Sequence, residues 1–364
     1  MEEFNLVRKQ CTQHLLGYRM TNELKGIYKE LFDSIQDGEE IDRYGSGALI
    51  EDFEKHIASV LGKEKAVFLP SGTMAQQIAL RIWCESKNNF KVAFHPTCHL
   101  ETSEHSGYQF LHDIKRIQFG GPEFVHDRML IRDDFENLAV LPAVILLELP
   151  YRPLGGELPT WETLLEIKDW ATKNNVSMHL DGARLWETKP FYNKEYSEIC
   201  SLFDSVYVSF YKGLGGLTGS ILAGSTSFIA SAKVWQRRYG GNFFSLSPYV
   251  LSARLSFKKN IEKMSLFVSK AQEIAKIFSK HPKLRVHPNP PPTNMFNLYI
   301  EADLTVLNQR IIEIMKKYKA SILPYFFERN TNIPGFVKTE IHILDNALHF
   351  DLTLLEEIIQ DLFD

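Results

Sequence analysis

The chain has 364 residues, of which 44% are hydrophobic and 24% charged, with a formal net charge of -4 and a pI of about 6.3. That length suits one large domain with a smaller companion, and it can bury a sizeable core. The mild acidity gives no electrostatic reason to expect nucleic acid or an anionic membrane as a partner.

The first ten residues are polar and charged, unlike a secretory leader, and no apolar run is long enough for a membrane span. Cys11, Cys84, Cys98 and Cys200 form no CxxC pair and read as free thiols of a reducing compartment. A cytoplasmic location is the default expectation. Residues 1–44 are expected to form an arm and helix outside the main sheet. Leu49, Ile50, Phe53, Ile57, Val60 and Leu61 follow helical spacing, and Gly62 is a C-terminal stop. Residues 66–69 form a short apolar run read as a strand. Ser71-Gly72-Thr73 then turns into a helix whose apolar face is Ile78, Ala79, Ile82 and Trp83. Residues 92–94, 143–149, 176–180, 206–210 and 220–223 are further strand candidates, apolar on both faces as strands covered by helices would be. This alternation predicts an α/β domain with a mostly parallel sheet between helices, over residues 45–250. Residues 251–364 read as a smaller α+β domain. Residues 248–279 are helical, 287–292 are a proline-rich linker, 297–300 and 337–344 are strands, and Leu352, Leu355, Ile358, Ile359 and Leu362 mark a closing amphipathic helix.

Three segments carry residues suited to chemistry. In the first, Lys212 ends an apolar strand and is followed by Gly213, Gly215 and Gly216. Next to an apolar sheet its pKa would fall, freeing a neutral amine for imine chemistry. An exposed turn is an equal reading of that segment alone. In the second, Asp181 ends the strand of Met178-His-Leu-Asp181-Gly-Ala-Arg184, at the sheet edge where open α/β proteins bind ligands. A helix N-cap is the plainer alternative. In the third, Ser71-Gly72-Thr73 opens a helix whose free N–H groups and dipole would suit a phosphate. An ordinary capped helix would look the same.

Taken together and in this order, the strings FLPSGTMAQQ, HLDGAR and SFYKGLGGLTGS resemble the L-threonine aldolase and β-eliminating lyase family of fold-type I enzymes that use pyridoxal 5'-phosphate (PLP). The likeness covers most of residues 44–300. It implies a large α/β domain with a smaller C-terminal one, and a PLP Schiff base on Lys212. Asp181 would then pair with the pyridine nitrogen, and Ser71, Gly72 and Thr73 would hold the phosphate, with Ser209 adding a contact. Arg184 would bind the substrate carboxylate. His99, in a histidine-then-glutamate segment running to Glu104, would stack on the ring and assist proton transfer. Tyr44 would reach the cofactor of a neighbouring subunit, in a homodimer or homotetramer with its sites at the interface. The implied reaction is retro-aldol cleavage of a β-hydroxy-α-amino acid such as threonine or allo-threonine to glycine and an aldehyde. β-Elimination and transamination are alternatives, and a non-catalytic binding protein of the same fold is a further one.

The chain departs from the family's pattern where substrate would sit. Residues 11–20 stand where the family has a serine-aspartate-threonine segment. Glu148-Leu-Pro-Tyr-Arg152 stands in place of a Glu-Asn-Thr-His string, and Phe244 in place of a basic residue. Lys338 stands near a second carboxylate-binding arginine, for which Arg152 is also a candidate. His95, Cys98, His99, Glu101, Glu104 and His105 match no closed zinc pattern, so no metal is expected. The glycines after Lys212 lack the downstream acid of a dinucleotide fingerprint, since Lys233 and Arg237 occupy that region.

Overall fold

The computed structural model describes residues 1–17, 24–117, 119 and 128–364, so residues 18–20 of the segment 11–20 lie outside it. The chain folds as two compact units. The larger holds Ile27–Tyr151 and Leu158–Glu262, and the smaller holds Met1–Gly26, Arg152–Glu157 and Lys263–Asp364. The expected boundaries at 44/45 and 250/251 are therefore redrawn. The first helix, Glu2–Arg8, buries Phe4 and Val7 in the core of the smaller unit. The helical stretch 248–279 is also broken, by a 3-10 turn at Ile261–Lys263 that contains the boundary.

The larger unit is built on seven strands: β1 (Lys65–Leu69), β2 (Lys91–Phe94), β3 (Lys115–Ile117), β4 (Val144–Glu148), β5 (Ser177–Gly182), β6 (Ser205–Ser209) and β7 (Ser220–Gly224). Their order across the sheet is β1-β7-β6-β5-β4-β2-β3. Only β7 runs against the rest. Every residue of β4, β5, β6 and β7 is buried, which explains their mostly apolar runs. Helices α1 (Ala48–Val60), α2 (Gly72–Lys87), α3 (His99–Thr102), α4 (Trp161–Lys173), α5 (Thr226–Arg238) and α6 (Ser247–Asn260) belong to the same unit. Helix α1 packs on β1 and β7, and α2 on β6 and β7. Ser71, Thr160 and Ser225 cap α2, α4 and α5 through their side-chain oxygens, each taking one N–H that a helix start leaves open.

The smaller unit carries an antiparallel sheet in the order β10-β9-β8, from β8 (Leu284–His287), β9 (Met295–Glu301) and β10 (Phe336–His342). Helices α7 (Met264–Phe278), α8 (Leu304–Tyr318) and α9 (Leu352–Phe363) share its core with Phe296, Leu298 and Ile300 of β9. No helix among the described residues is long and apolar enough to cross a membrane.

Candidate active site

Parallel strands end at one edge of the sheet, and the chemistry collects there in the larger unit. Glu148 closes β4 and Asp181 lies near the end of β5, and the two are register partners. Both are buried. Burial raises the Glu148 carboxyl, and the Asp181 charge raises it further. Burial also raises Asp181, while the Lys212 ammonium and the Ala183 N–H pull it back. Asp181 is the better served of the two. Its Oδ1 accepts from Ala183 N at 3.0 Å and its Oδ2 accepts from Gln76 Nε2. Glu148 Oε1 accepts from His99 N at 3.0 Å, and its Oε2 has no partner among the described residues. Of the two neighbouring acids, Asp181 therefore keeps the charge more readily and Glu148 the proton.

Lys212 lies in the bend between β6 and β7, and its charge acts on Asp181, Glu148 and Glu187. Glu187 is fully buried, and its carboxyl is pushed up by burial and pulled down by Arg184. Arg184 Nη1 stands 3.4 Å from Glu187 Oε1, and Glu187 Oε2 is also without a partner among the described residues. A Cβ on Gly213 would overlap that same Glu187 carboxylate, so the residue after the lysine has to be glycine. The bend is tied down at its far end by Thr218, whose hydroxyl donates to Pro70 O at 2.9 Å.

His99 is the first residue of α3. Its Nδ1 lies 2.9 Å from Glu104 Oε1, and the other oxygen of Glu104 accepts from Gln77 Nε2 at 3.1 Å. A carboxylate can only accept, so the proton sits on Nδ1 and Nε2 is left as the basic nitrogen. The start of α2 is open to an anion, with Ser71 half-buried and Thr73 exposed. Gly72 is required there because a Cβ would run into the Tyr207 ring. Ser209 is fully buried, and its hydroxyl donates to Ala183 O at 2.7 Å. Its proton thus holds the turn after Asp181.

Tyr44 sits at the surface with its ring edge-on to Phe244, on a backbone with φ 53°. That turn hangs from the buried Asp42, which accepts from Gly45 N, Leu246 N, Ser247 N and the hydroxyls of Ser245 and Ser247. Arg152 and Lys338 are brought together in the smaller unit. Arg152 Nε donates to Glu340 Oε2 at 2.9 Å, and Lys338 Nζ donates to Pro153 O at 3.4 Å. Burial and the Arg152 charge lower the Lys338 amine. Both ring nitrogens of His95 are engaged, by Thr97 Oγ1 and Arg128 O, and no group of metal-holding side chains gathers among the described residues.

Sequence reading passed over Gln76, His179 and Glu187, and treated Glu148 only as part of a string. The signal for Glu148 was available: it and Asp181 both end apolar runs, and parallel neighbours place such ends side by side.

An α/β sheet with one reversed strand, carrying a lysine, an acid and a helix N-terminus at its edge, is the architecture of fold-type I PLP-dependent enzymes. Residues 32–302 match the family model described as β-eliminating lyase. The low-specificity L-threonine aldolase 1 of Arabidopsis thaliana is 28% identical over 255 residues, covering 68% of this chain and 71% of that protein. A structure from Listeria monocytogenes, described as a candidate L-allo-threonine aldolase, superposes with a TM-score of 0.93 at 39% identity, covering 99% of this chain and 98% of that one. One from an Exiguobacterium species, described as a candidate aromatic amino acid β-eliminating lyase/threonine aldolase, gives 0.92 at 37%, covering 99% of both chains. The chain belongs to the β-eliminating lyase family and is a lyase of fold type I.

Proposed function

We propose that the protein is a PLP-dependent aldehyde-lyase that cleaves a β-hydroxy-α-amino acid of the threonine or allo-threonine kind to glycine and an aldehyde. The observation that carries this reading is Lys212, in the bend after β6, whose charge acts on the buried Asp181 and Glu148. The donor set fits PLP: an amine, an acid, an anion-binding helix start, and two buried carboxylate oxygens still lacking donors. When bound, PLP supplies an imine link and an electron-poor ring that takes up the electron pair released at Cα. Ser71, Gly72 and Thr73 would hold its phosphate, Asp181 its pyridine nitrogen, and Lys212 its aldehyde carbon.

Arg184 would receive the substrate carboxylate through its guanidinium fork, kept in place by Glu187. His99 would take the β-hydroxyl proton on Nε2, and Glu104 on Nδ1 would offset the positive charge gained. Ser209 would keep the Asp181–Arg184 turn in place rather than touch phosphate. Tyr44 would act on a neighbouring subunit's site in a homodimer or homotetramer, and the protein would work in the cytoplasm.

Purified protein is expected to be yellow, and Lys212→Ala colourless. A purified protein with no PLP by mass spectrometry would overturn the proposal and favour a binding protein of this fold. Incubation with threonine, allo-threonine and phenylserine is expected to release an aldehyde and glycine. Pyruvate and ammonia from serine or cysteine derivatives, with no aldehyde from any β-hydroxy acid, would transfer the assignment to β-elimination. A keto acid formed without ammonia would point to transamination.

A further inference from the structure

Behind Asp181 stands a row of polar side chains that the reaction itself does not use. Trp83 Nε1 donates to Ser205 Oγ at 2.8 Å, and Ser205 Oγ lies 2.7 Å from His179 Nδ1. His179 Nε2 lies 2.7 Å from Gln76 Oε1, and Gln76 Nε2 donates to Asp181 Oδ2. His179, Ser205 and Gln76 are buried on β5, β6 and α2. Water does not reach such groups, so each proton must be placed within the row.

The two ends fix the placement. An indole N–H only donates, so Ser205 Oγ accepts from Trp83 and is free to give its own hydrogen to His179 Nδ1. An amide oxygen only accepts, so Nε2 of His179 carries the proton and gives it to Gln76. Gln76 then presents its N–H to Asp181. Burial holds the His179 ring neutral, with its pKa lowered to about 3. A hydrogen bond with the Ser205 backbone works against that lowering, and a proton moved to Nδ1 would reverse the row. Reversal turns the Gln76 oxygen onto Asp181 Oδ2, where two acceptors would meet unless Asp181 carried a proton.

We propose that Trp83, Ser205, His179 and Gln76 form a one-way hydrogen-bond row that holds Asp181 as the anion. They are positioning residues, acting through Asp181 and bringing no net charge of their own. The groups whose charges also act on Asp181 are Lys212, His99 and Glu104, and the Asp181 charge in turn acts on Glu148. What the row does for catalysis rests on the pairing of Asp181 with the pyridine nitrogen proposed above. The direction of the row does not.

The test is nitrogen NMR of protein labelled with 15N-histidine, with His179 assigned by its loss in His179→Gln. The expected signals are a bare Nδ1 and a protonated Nε2, unchanged from about pH 6 to pH 9, the range between ordinary histidine and lysine titration. Ser205→Ala removes one hydroxyl at little cost in volume, and is expected to abolish that single-tautomer signature. A second readout uses PLP labelled at its ring nitrogen. In Gln76→Leu the loss of the nitrogen's proton is expected to move down by about one to two pH units, the size of one hydrogen bond to a charged group. A protonated Nδ1 in the parent would overturn the proposal. So would Ser205→Ala and Gln76→Leu proteins that are folded and leave both nitrogen signals where they were. Protein that purifies without PLP would sink the functional reading, and the His179 signals, which need no cofactor, would still decide the direction of the row.

Discussion

Glu148 and Asp181 stand side by side at the ends of β4 and β5, yet they meet unequal partners. The Lys212 charge pulls both carboxyls down, but two N–H donors favour an anion at Asp181, whereas Glu148 has one N–H donor and the weaker Cys98 thiol. The folded protein thus raises Glu148 above its ordinary value of 4.5. A raised acid binds its proton more tightly when folded, so it adds stability below the unfolded value. That stability is lost as pH rises through the folded value. Glutamine copies the protonated form without titrating. Glu148→Gln is therefore expected to melt at the parent's temperature or above at alkaline pH, with the difference shrinking toward pH 5. Thermal melts across that range check it, and a variant less stable than the parent at alkaline pH would show that Glu148 is held as an anion. His179 was hidden from sequence reading for a related reason. It lies 103 positions from Gln76, and only the register of β5 against β6 and the packing of α2 bring the two together.

Helix α2 illustrates what an element owes to its neighbours. Its start was legible, since Ser71 is a strong cap and Gly72-Thr73 follows a strand. The reason for Gly72 was not. The position is helical, with no left-handed backbone to require glycine, and the need comes from the Tyr207 ring of β6 pressing on it. Gly72→Ala is expected to cost about 2 kcal/mol through overpacking against a fully buried ring, and to weaken binding of the cofactor phosphate. Chemical denaturation and PLP titration measure the two effects. A variant as stable as the parent would mean that the ring has another rotamer to adopt. The strands were legible because those buried on both faces are mostly apolar. The helix break at Ile261–Lys263 was not, because apolar residues continue through it at helical spacing.

The path of the chain through its two units was the least legible feature. Composition changes near residue 250, but membership of a unit depends on packing between distant segments. Phe4 and Val7 enter the core that α8 and α9 share, Gln13–His14 pairs with Ala320–Ser321, and Pro153 O accepts from Asn297 Nδ2 at 3.1 Å. Residues 263–364 alone therefore lack part of their own core. Expressed by itself, that fragment is expected to show no cooperative melt by circular dichroism. In the full chain, deleting residues 1–10 is expected to destabilise the smaller unit by about 4 kcal/mol, the cost of removing a buried aromatic and its neighbour. A cooperatively folding fragment would refute the assignment of the first residues to that unit.

The reversed strand β7 has a consequence for how such an enzyme can vary. Because β7 runs back beside β6, the lysine hangs on a short hairpin whose two ends are stitched into one sheet, with Phe210 N bonded to Gly219 O. No crossover helix intervenes to transmit a shift from elsewhere. The amine therefore keeps its address as long as this hairpin keeps its pairing. A hairpin anchored at both ends in one sheet holds its lysine in place independently of the loops and helices around it, and it is the hook on which the proposed cofactor would hang.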